Sequence, residues 1–170
     1  DGVWTETGII DRFAERVIPR KWTAPISSGY CGPTVAEGRV YVMDYLTKPR
    51  QTERVHCFDW ETGEQLWSHT YGCIYAGFGY TAGPRASVPV EEGRAFSLGA
   101  MGHLVCLAAT DGTVLWSRDL HREYQIRMPN WGIAAAPLIE GDLLIAQIGG
   151  TDACIVGLEK RTGQERWRAL

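Results

Sequence analysis

The phrase DWETGEQLW at residues 59–67 returns as AATDGTVLW at 108–116 and again as EKRTGQERW at 159–167. Each copy ends in a tryptophan (Trp67, Trp116, Trp167) and carries a glycine four residues before it (Gly63, Gly112, Gly163). A second phrase precedes each at a regular interval: PTVAEGRVYV (33–42), PVEEGRAFSL (89–98) and PLIEGDLLIA (137–146). These open on Pro33, Pro89 and Pro137 and turn at Gly38, Gly93 and Gly141. A unit of about fifty residues therefore occurs three times, and a period of that length belongs to repeat architectures.

Each unit reads as β-structure. RVYVMD and DLLIAQ are rich in residues that suit a pleated, buried surface. The EG glycines fit hairpin turns that need positive φ, and ETGE, TDGT and RTGQ supply a second hairpin in each unit. Four strands per unit follow, the last carrying the tryptophan. DRFAERVI (11–18) is the one weak helix candidate. Four-stranded antiparallel units of this length predict an all-β fold, a β-propeller with one unit per blade. The repeated tryptophan is then a large anchor placed to pack against the neighbouring blade.

The three tryptophan phrases resemble the tryptophan-docking motif of the pyrroloquinoline-quinone-like (PQQ-like) propeller repeat, roughly A-x-D-x-x-T-G-x-x-x-W. Asp59, Thr62, Gly63 and Trp67 match best. The second unit has Ala108 for the Asp and Asp111 for the Thr, and the third has Glu159 with Thr162, Gly163 and Trp167. The resemblance covers nearly the whole chain. It implies a girdle of tryptophans between blades, with Trp22 in RKWTAP as the final-strand tryptophan of a partial unit.

Three units do not close a propeller, because known rings have about four to eight blades. The expected organisation is a partial propeller over 1–170: a partial blade leading in at 1–32, then units at 33–67, 89–116 and 137–167. Relatives of this family close at seven or eight blades, which implies a parent chain of about 400 residues.

Strand alternation puts the short EG and TG hairpins on one face of such a ring. The other face carries the connections DYLTKPRQTER (44–54), SHTYGCIYAGFGYTAGPRAS (68–87) and SRDLHREYQIRMPNWGIAAA (117–136). Long connections on a rigid scaffold are where binding residues sit. The candidates there are Tyr75, Tyr80, Tyr124, Arg127 and Trp131, within a wider set including Tyr45, Tyr71, Phe78 and His121. Aromatics beside arginine suit a peptide, a glycan or a planar acidic cofactor; the same side chains could equally pack the loops against themselves. Arg85 stands just before an innermost strand, where a guanidinium could hold a carboxylate or form a structural ion pair.

The family includes both quinoprotein dehydrogenases and non-catalytic BamB-like scaffolds of outer-membrane barrel assembly. The dehydrogenases use PQQ with calcium held by Glu, Asn and Asp, and many have adjacent cysteines against the cofactor. This chain has no Cys-Cys pair and one asparagine, Asn130. The leading expectation is thus a non-catalytic scaffold that binds a protein or extended ligand on the long-loop face, with no catalytic residue or metal ligand assigned. A PQQ- and calcium-dependent dehydrogenase oxidising alcohols or sugars is the alternative. Either reading places the protein in the periplasm or outside the cell.

A formal net charge of −3 argues against a nucleic-acid partner, and the apolar runs are too short to span a membrane. Of the five cysteines, Cys57 and Cys106 fall in apolar strands as buried thiols. Cys31 and Cys73, in glycine-rich connections, are the better candidates if a disulfide forms. His56, His69, His103 and His121 show no pairing at ligand spacing and read as surface or turn residues.

Overall fold

A computed structural model describes residue 7 and residues 18–77 and 79–170. Among them the chain builds three four-stranded antiparallel sheets. The first is β1 (Thr34–Ala36), β2 (Arg39–Leu46), β3 (Thr52–Asp59) and β4 (Gln65–Gly72). The second is β5 (Val90–Glu91), β6 (Arg94–Leu98), β7 (His103–Ala108) and β8 (Val114–Asp119). The third is β9 (Leu138–Glu140), β10 (Leu143–Gly150), β11 (Ala153–Glu159) and β12 (Glu165–Ala169). Within each sheet the strands lie in sequence order, so the sheets are consecutive blades of an all-β propeller, an incomplete ring.

The central strands lack polar alternation because each blade is covered on both faces. In RVYVMDYL of β2, Tyr41 and Met43 join Val55, Cys57, Val88, Ala95 and Leu107 in the core between the first two blades. Val40 and Val42 point the other way and pack with Phe58 and the half-buried Trp22. Phe96, Leu98, Leu104, Leu144, Val156 and Leu158 fill the gap between the second and third blades.

Turn chemistry differs in one informative place. Ala36 pairs with Arg39 and Glu91 with Arg94. The two-residue loops Glu37–Gly38 and Glu92–Gly93 therefore have positive φ at both positions, as a type I′ turn demands. In the third blade Glu140 pairs with Leu143, which moves the glycine to the first loop position. There Gly141 alone has positive φ, the type II′ pattern.

Every blade also carries a β-bulge between its third and fourth strands. Pairing passes from Phe58↔Gln65 to Cys57↔Trp67, from Leu107↔Val114 to Cys106↔Trp116, and from Leu158↔Glu165 to Gly157↔Trp167. The extra residue stands immediately before the tryptophan each time and re-aims its side chain. Trp67 then reaches the second blade, where its Nε1 donates to the Ala109 carbonyl at 3.0 Å. Trp116 does the same to Lys160 at 3.1 Å, and Trp22 to Trp60 at 2.9 Å. The ring of each lies flat on the receiving blade's turn glycine: a Cβ on Gly63, Gly112 or Gly163 would stand 2.5, 2.7 and 2.7 Å from Trp22, Trp67 and Trp116. Trp167 lies instead over Gly157 of its own blade and is 38% exposed.

The fourth strand of each blade runs on past the tryptophan, so the connections are shorter than the sequence suggests. Tyr71 is consequently a strand residue, and so is Tyr45, because β2 likewise runs on to Leu46. The helix expected at 11–18 lies, Ile18 apart, outside the described residues, as does Phe78. A helix of one turn, α1 (Leu120–Glu123), forms after β8 where none was expected. Asp119 caps it by accepting from the Arg122 amide at 3.1 Å, and Leu120 is buried beneath it.

Candidate functional site

The site begins with two acids whose strand register places them in the core. Along β3, Glu53 shares a face with Val55 and Cys57; along β2, Asp44 shares a face with Val40 and Val42. Both carboxyls are fully buried. A buried carboxylate must be paired, hydrogen-bonded or bound to a metal, and the two solve this differently.

Asp44 has cations. Arg54, its cross-strand partner, donates through Nε at 2.8 Å and Nη2 at 2.5 Å, and the Ser27 amide donates at 2.6 Å. His56 Nε2 stands 3.1 Å from the same carboxylate. Burial alone pushes Asp44 upward, but His56, Arg54 and the Ser27 amide outweigh it and hold the group well below the ordinary carboxylate range. His56 is thus a buried neighbour of an acid, not the surface residue expected from sequence.

Glu53 has neutral donors. Tyr71, opposite it on β4, donates to Oε2 at 2.6 Å; Tyr75 donates to Oε1 at 2.5 Å and the Ala100 amide to the same oxygen at 3.0 Å. Burial, and then the Glu53 charge, push both phenols well above their usual value, so they stay protonated donors. Tyr75 is also stacked on Tyr45, with centroids 4.0 Å apart. Gly99 makes the arrangement possible by its lack of a side chain: a Cβ there would collide with the Glu53 carboxylate and approach the Tyr71 hydroxyl to 2.6 Å. Tyr75→Phe removes one of these charge-assisted bonds and is expected to cost about 1.5–3 kcal/mol. Urea unfolding would show it, and a change within error would mean that Tyr71 and Ala100 suffice.

Cys73 and His103 complete the cluster. Cys73 Sγ lies 3.7 Å from His103 Nδ1, and these atoms and a Glu53 oxygen are all within 4.8 Å of one another. Burial and the nearby Glu53 charge push the Cys73 thiol up. Cys73 and His103 open onto a cleft of about 820 Å³ that also touches Thr47, Arg50, Gln51 and Ile74, on the long-loop face between the first two blades. His103 borders a second hollow of about 340 Å³ with His69, Arg118 and Asp119. His103 is therefore half-buried at a cluster of ligand-type groups rather than a plain turn residue.

The residues singled out from sequence distribute as follows. Arg85 donates to the carbonyl oxygens of Gly83 and Tyr80 and lies over the rings of Tyr30 and Tyr75 at 5.1 and 6.0 Å. Tyr80 and Trp131, from different inter-blade connections, stack with centroids 4.0 Å apart while remaining 57% and 55% exposed. Tyr124 is buried instead, donating to Glu165 at 2.6 Å, and Arg127 is exposed. All five cysteines are free thiols. Cys31 and Cys73 do not pair: Cys31 Sγ sits 3.2 Å from the Met43 carbonyl, whereas Cys73 faces Glu53 and His103.

These residues do not fit PQQ with calcium. Calcium takes six to eight oxygen ligands, while the cluster offers one carboxylate beside sulfur and nitrogen. Arg85 is engaged by backbone carbonyls, and Asn130 is exposed in a loop. Among the described residues no helix is long and apolar enough to cross a membrane.

No curated protein matches the chain. Among solved structures it is similar to quinohemoprotein alcohol dehydrogenase from Comamonas testosteroni, with 24% identity and a TM-score of 0.61 over 84% of this chain and 21% of that one. A europium-containing methanol dehydrogenase matches with 18% identity and a TM-score of 0.61 over 86% of this chain and 25% of that one. BamB from Moraxella catarrhalis matches with 19% identity and a TM-score of 0.49 over 71% of this chain and 34% of that one. The chain thus spans between a fifth and a quarter of the dehydrogenases it resembles, and likeness at this identity speaks to fold alone. A family model described as outer membrane protein assembly factor BamB matches residues 51–170. With three in-phase blades joined tryptophan to glycine, and with most of its length under that model, this chain belongs to the PQQ-like β-propeller family.

Proposed function

We propose that the chain is part of a non-catalytic, BamB-like binding propeller that holds another protein or an extended ligand on its long-loop face. The observation that carries the reading is the Tyr80–Trp131 stack. Two large rings from different connections lie parallel and over half exposed. Tyrosine and tryptophan held rigid in this way make strong contacts at little entropic cost on binding. Arg127, exposed in the same connection as Trp131, adds a positive charge to that loop. The tryptophans at 22, 67 and 116 act in this reading as the docking girdle that keeps the face rigid. The family description favours a partner in outer-membrane protein assembly and hence a periplasmic location.

The test pairs two measurements on the purified protein. Titration with PQQ and calcium, followed by tryptophan fluorescence and a dye-linked alcohol and sugar oxidation assay, is expected to show no saturable binding and no dye reduction. A photo-crosslinking residue at position 131 is expected to capture a discrete partner in cells, while one at the exposed Arg161 of the hairpin face captures none. Saturable PQQ binding with dye reduction would replace the scaffold with a quinoprotein dehydrogenase.

A further inference from the structure

We propose that Glu53, Cys73 and His103 form a site for a transition-metal ion, best matched to zinc. The proposal is independent of what the long-loop face binds.

The ligand atoms are one carboxylate oxygen, one sulfur and one imidazole nitrogen, all within 4.8 Å of one another. Zinc bonds to these atoms at about 2.0–2.3 Å in tetrahedral geometry, which sets ligand atoms roughly 3.3–3.7 Å apart. Cys73 Sγ and His103 Nδ1 already stand 3.7 Å apart, so closure onto the ion requires small movements of side chains. A mixed sulfur, nitrogen and oxygen set suits zinc and disfavours calcium or magnesium, which take oxygen alone.

The surroundings argue for a cation more directly. Glu53 is fully buried, yet among the described residues no Lys, Arg or His forms an ion pair with it; the Tyr71 and Tyr75 hydroxyls, the Ala100 amide and the Cys73 thiol that meet it are all neutral donors. By contrast, the neighbouring acid Asp44 is met by a guanidinium and an imidazole. A carboxylate has about four acceptor sites; Tyr71, Tyr75 and Ala100 take three and the Cys73 thiol faces the fourth, which a metal would occupy once that thiol gives up its proton. Those same bonds fix its orientation, the task outer-shell groups perform at metal sites. Gly99 keeps open the space that the carboxylate occupies.

Access is provided too. Cys73 and His103 line the cleft of about 820 Å³, so an ion can enter from the long-loop face and a water can fill the fourth position. Three protein ligands with one open position is the layout of zinc sites that exchange a ligand. On binding, the Cys73 S–H bond breaks, the sulfur bonds the metal as thiolate, and the proton leaves to the buffer. Glu53, His103, Tyr71, Tyr75 and Asp119 are the titratable groups around that thiol.

The test is metal titration of the purified, chelator-treated protein. Zinc, competed against a chromophoric chelator, is expected to bind at one ion per chain with release of a proton. Cobalt in its place is expected to give a thiolate-to-cobalt charge-transfer band in the near ultraviolet. Cys73→Ser removes that band, and His103→Gln keeps it while weakening affinity at least about tenfold. Should Cys73→Ser fail to fold, His103→Gln at its half-exposed position carries the test, with near-ultraviolet circular dichroism to check folding. Absence of binding at micromolar metal would overturn the proposal. So would a charge-transfer band that survives Cys73→Ser, or an affinity unmoved by His103→Gln.

Discussion

Gly112→Ala is expected to lower the free energy of unfolding by about 3–5 kcal/mol, while Gly93→Ala lowers it by about 1–2 kcal/mol. The two glycines share the backbone problem, with φ of +74° and +68°. They differ in what a methyl would meet. Nothing lies within 4 Å of a Cβ at Gly93, whereas at Gly112 it would stand 2.7 Å from Cε3 of Trp67. To relieve that overlap the indole must lift away, losing its bond to Ala109 and uncovering a side chain that is 8% exposed. The loss then approaches that of truncating a buried tryptophan. Urea unfolding of both variants beside Trp67→Ala checks the argument. Equal losses at 112 and 93 would mean that the ring shifts at no cost and the junction is not tightly packed.

The second large effect concerns Asp44. Asp44→Asn leaves Arg54 without its charge partner, and breaking a buried pair typically costs about 3–5 kcal/mol. Arg54 is a quarter exposed, so a loss of about 2–4 kcal/mol at neutral pH is expected. Its pH dependence follows from the direction of the shift. The folded-state carboxyl is held below the ordinary value. Its contribution to stability is therefore complete above the unfolded value, about 3.9. It is lost as pH falls through that value towards the folded one, because the unfolded chain takes up a proton that the folded chain refuses. The gap between the native protein and Asp44→Asn should thus narrow between pH 5 and pH 3, on the order of these reference values. A gap of constant size over that range would show that Asp44 stabilises the fold through its shape and not its charge.

What could be read in advance was whatever repeats. The prolines, the turn glycines and the tryptophans announce themselves because each occurs three times in phase, and together they mark the three repeat units, their hairpins and their strand order. The bulge before each tryptophan was not legible, since Leu66, Leu115 and Arg166 share no chemistry; their common role is to be an extra residue.

The candidate metal cluster was hidden for the opposite reason: it occurs once. Glu53, Cys73 and His103 come from β3, the residue after β4 and the start of β7, and no spacing in the sequence links them. One signal was present nonetheless. In TERVHCFD and RVYVMDYL an acid stands in phase with apolar residues of the same face, which marks a carboxyl headed for the interior. Of the two alternatives the sequence left open for Tyr124, ligand contact or loop packing, the structure shows it packed inward, because one turn of helix folds it back onto the third blade.

The junctions between blades also set rules for how such sequences can vary. Trp67 and Gly112 form one physical unit although they belong to different repeats, and so do Trp116 and Gly163. A substitution that removes the glycine of one repeat takes away the platform for the tryptophan of the repeat before it, and leaves its own tryptophan untouched. In related chains, therefore, the compensating change to a lost Gly112 belongs at position 67 rather than at 116. A repeat exchanged between two such proteins must match its neighbours at both borders, so inheritance proceeds most freely in segments cut between a tryptophan and the glycine before it, not at the ends of the visible repeat.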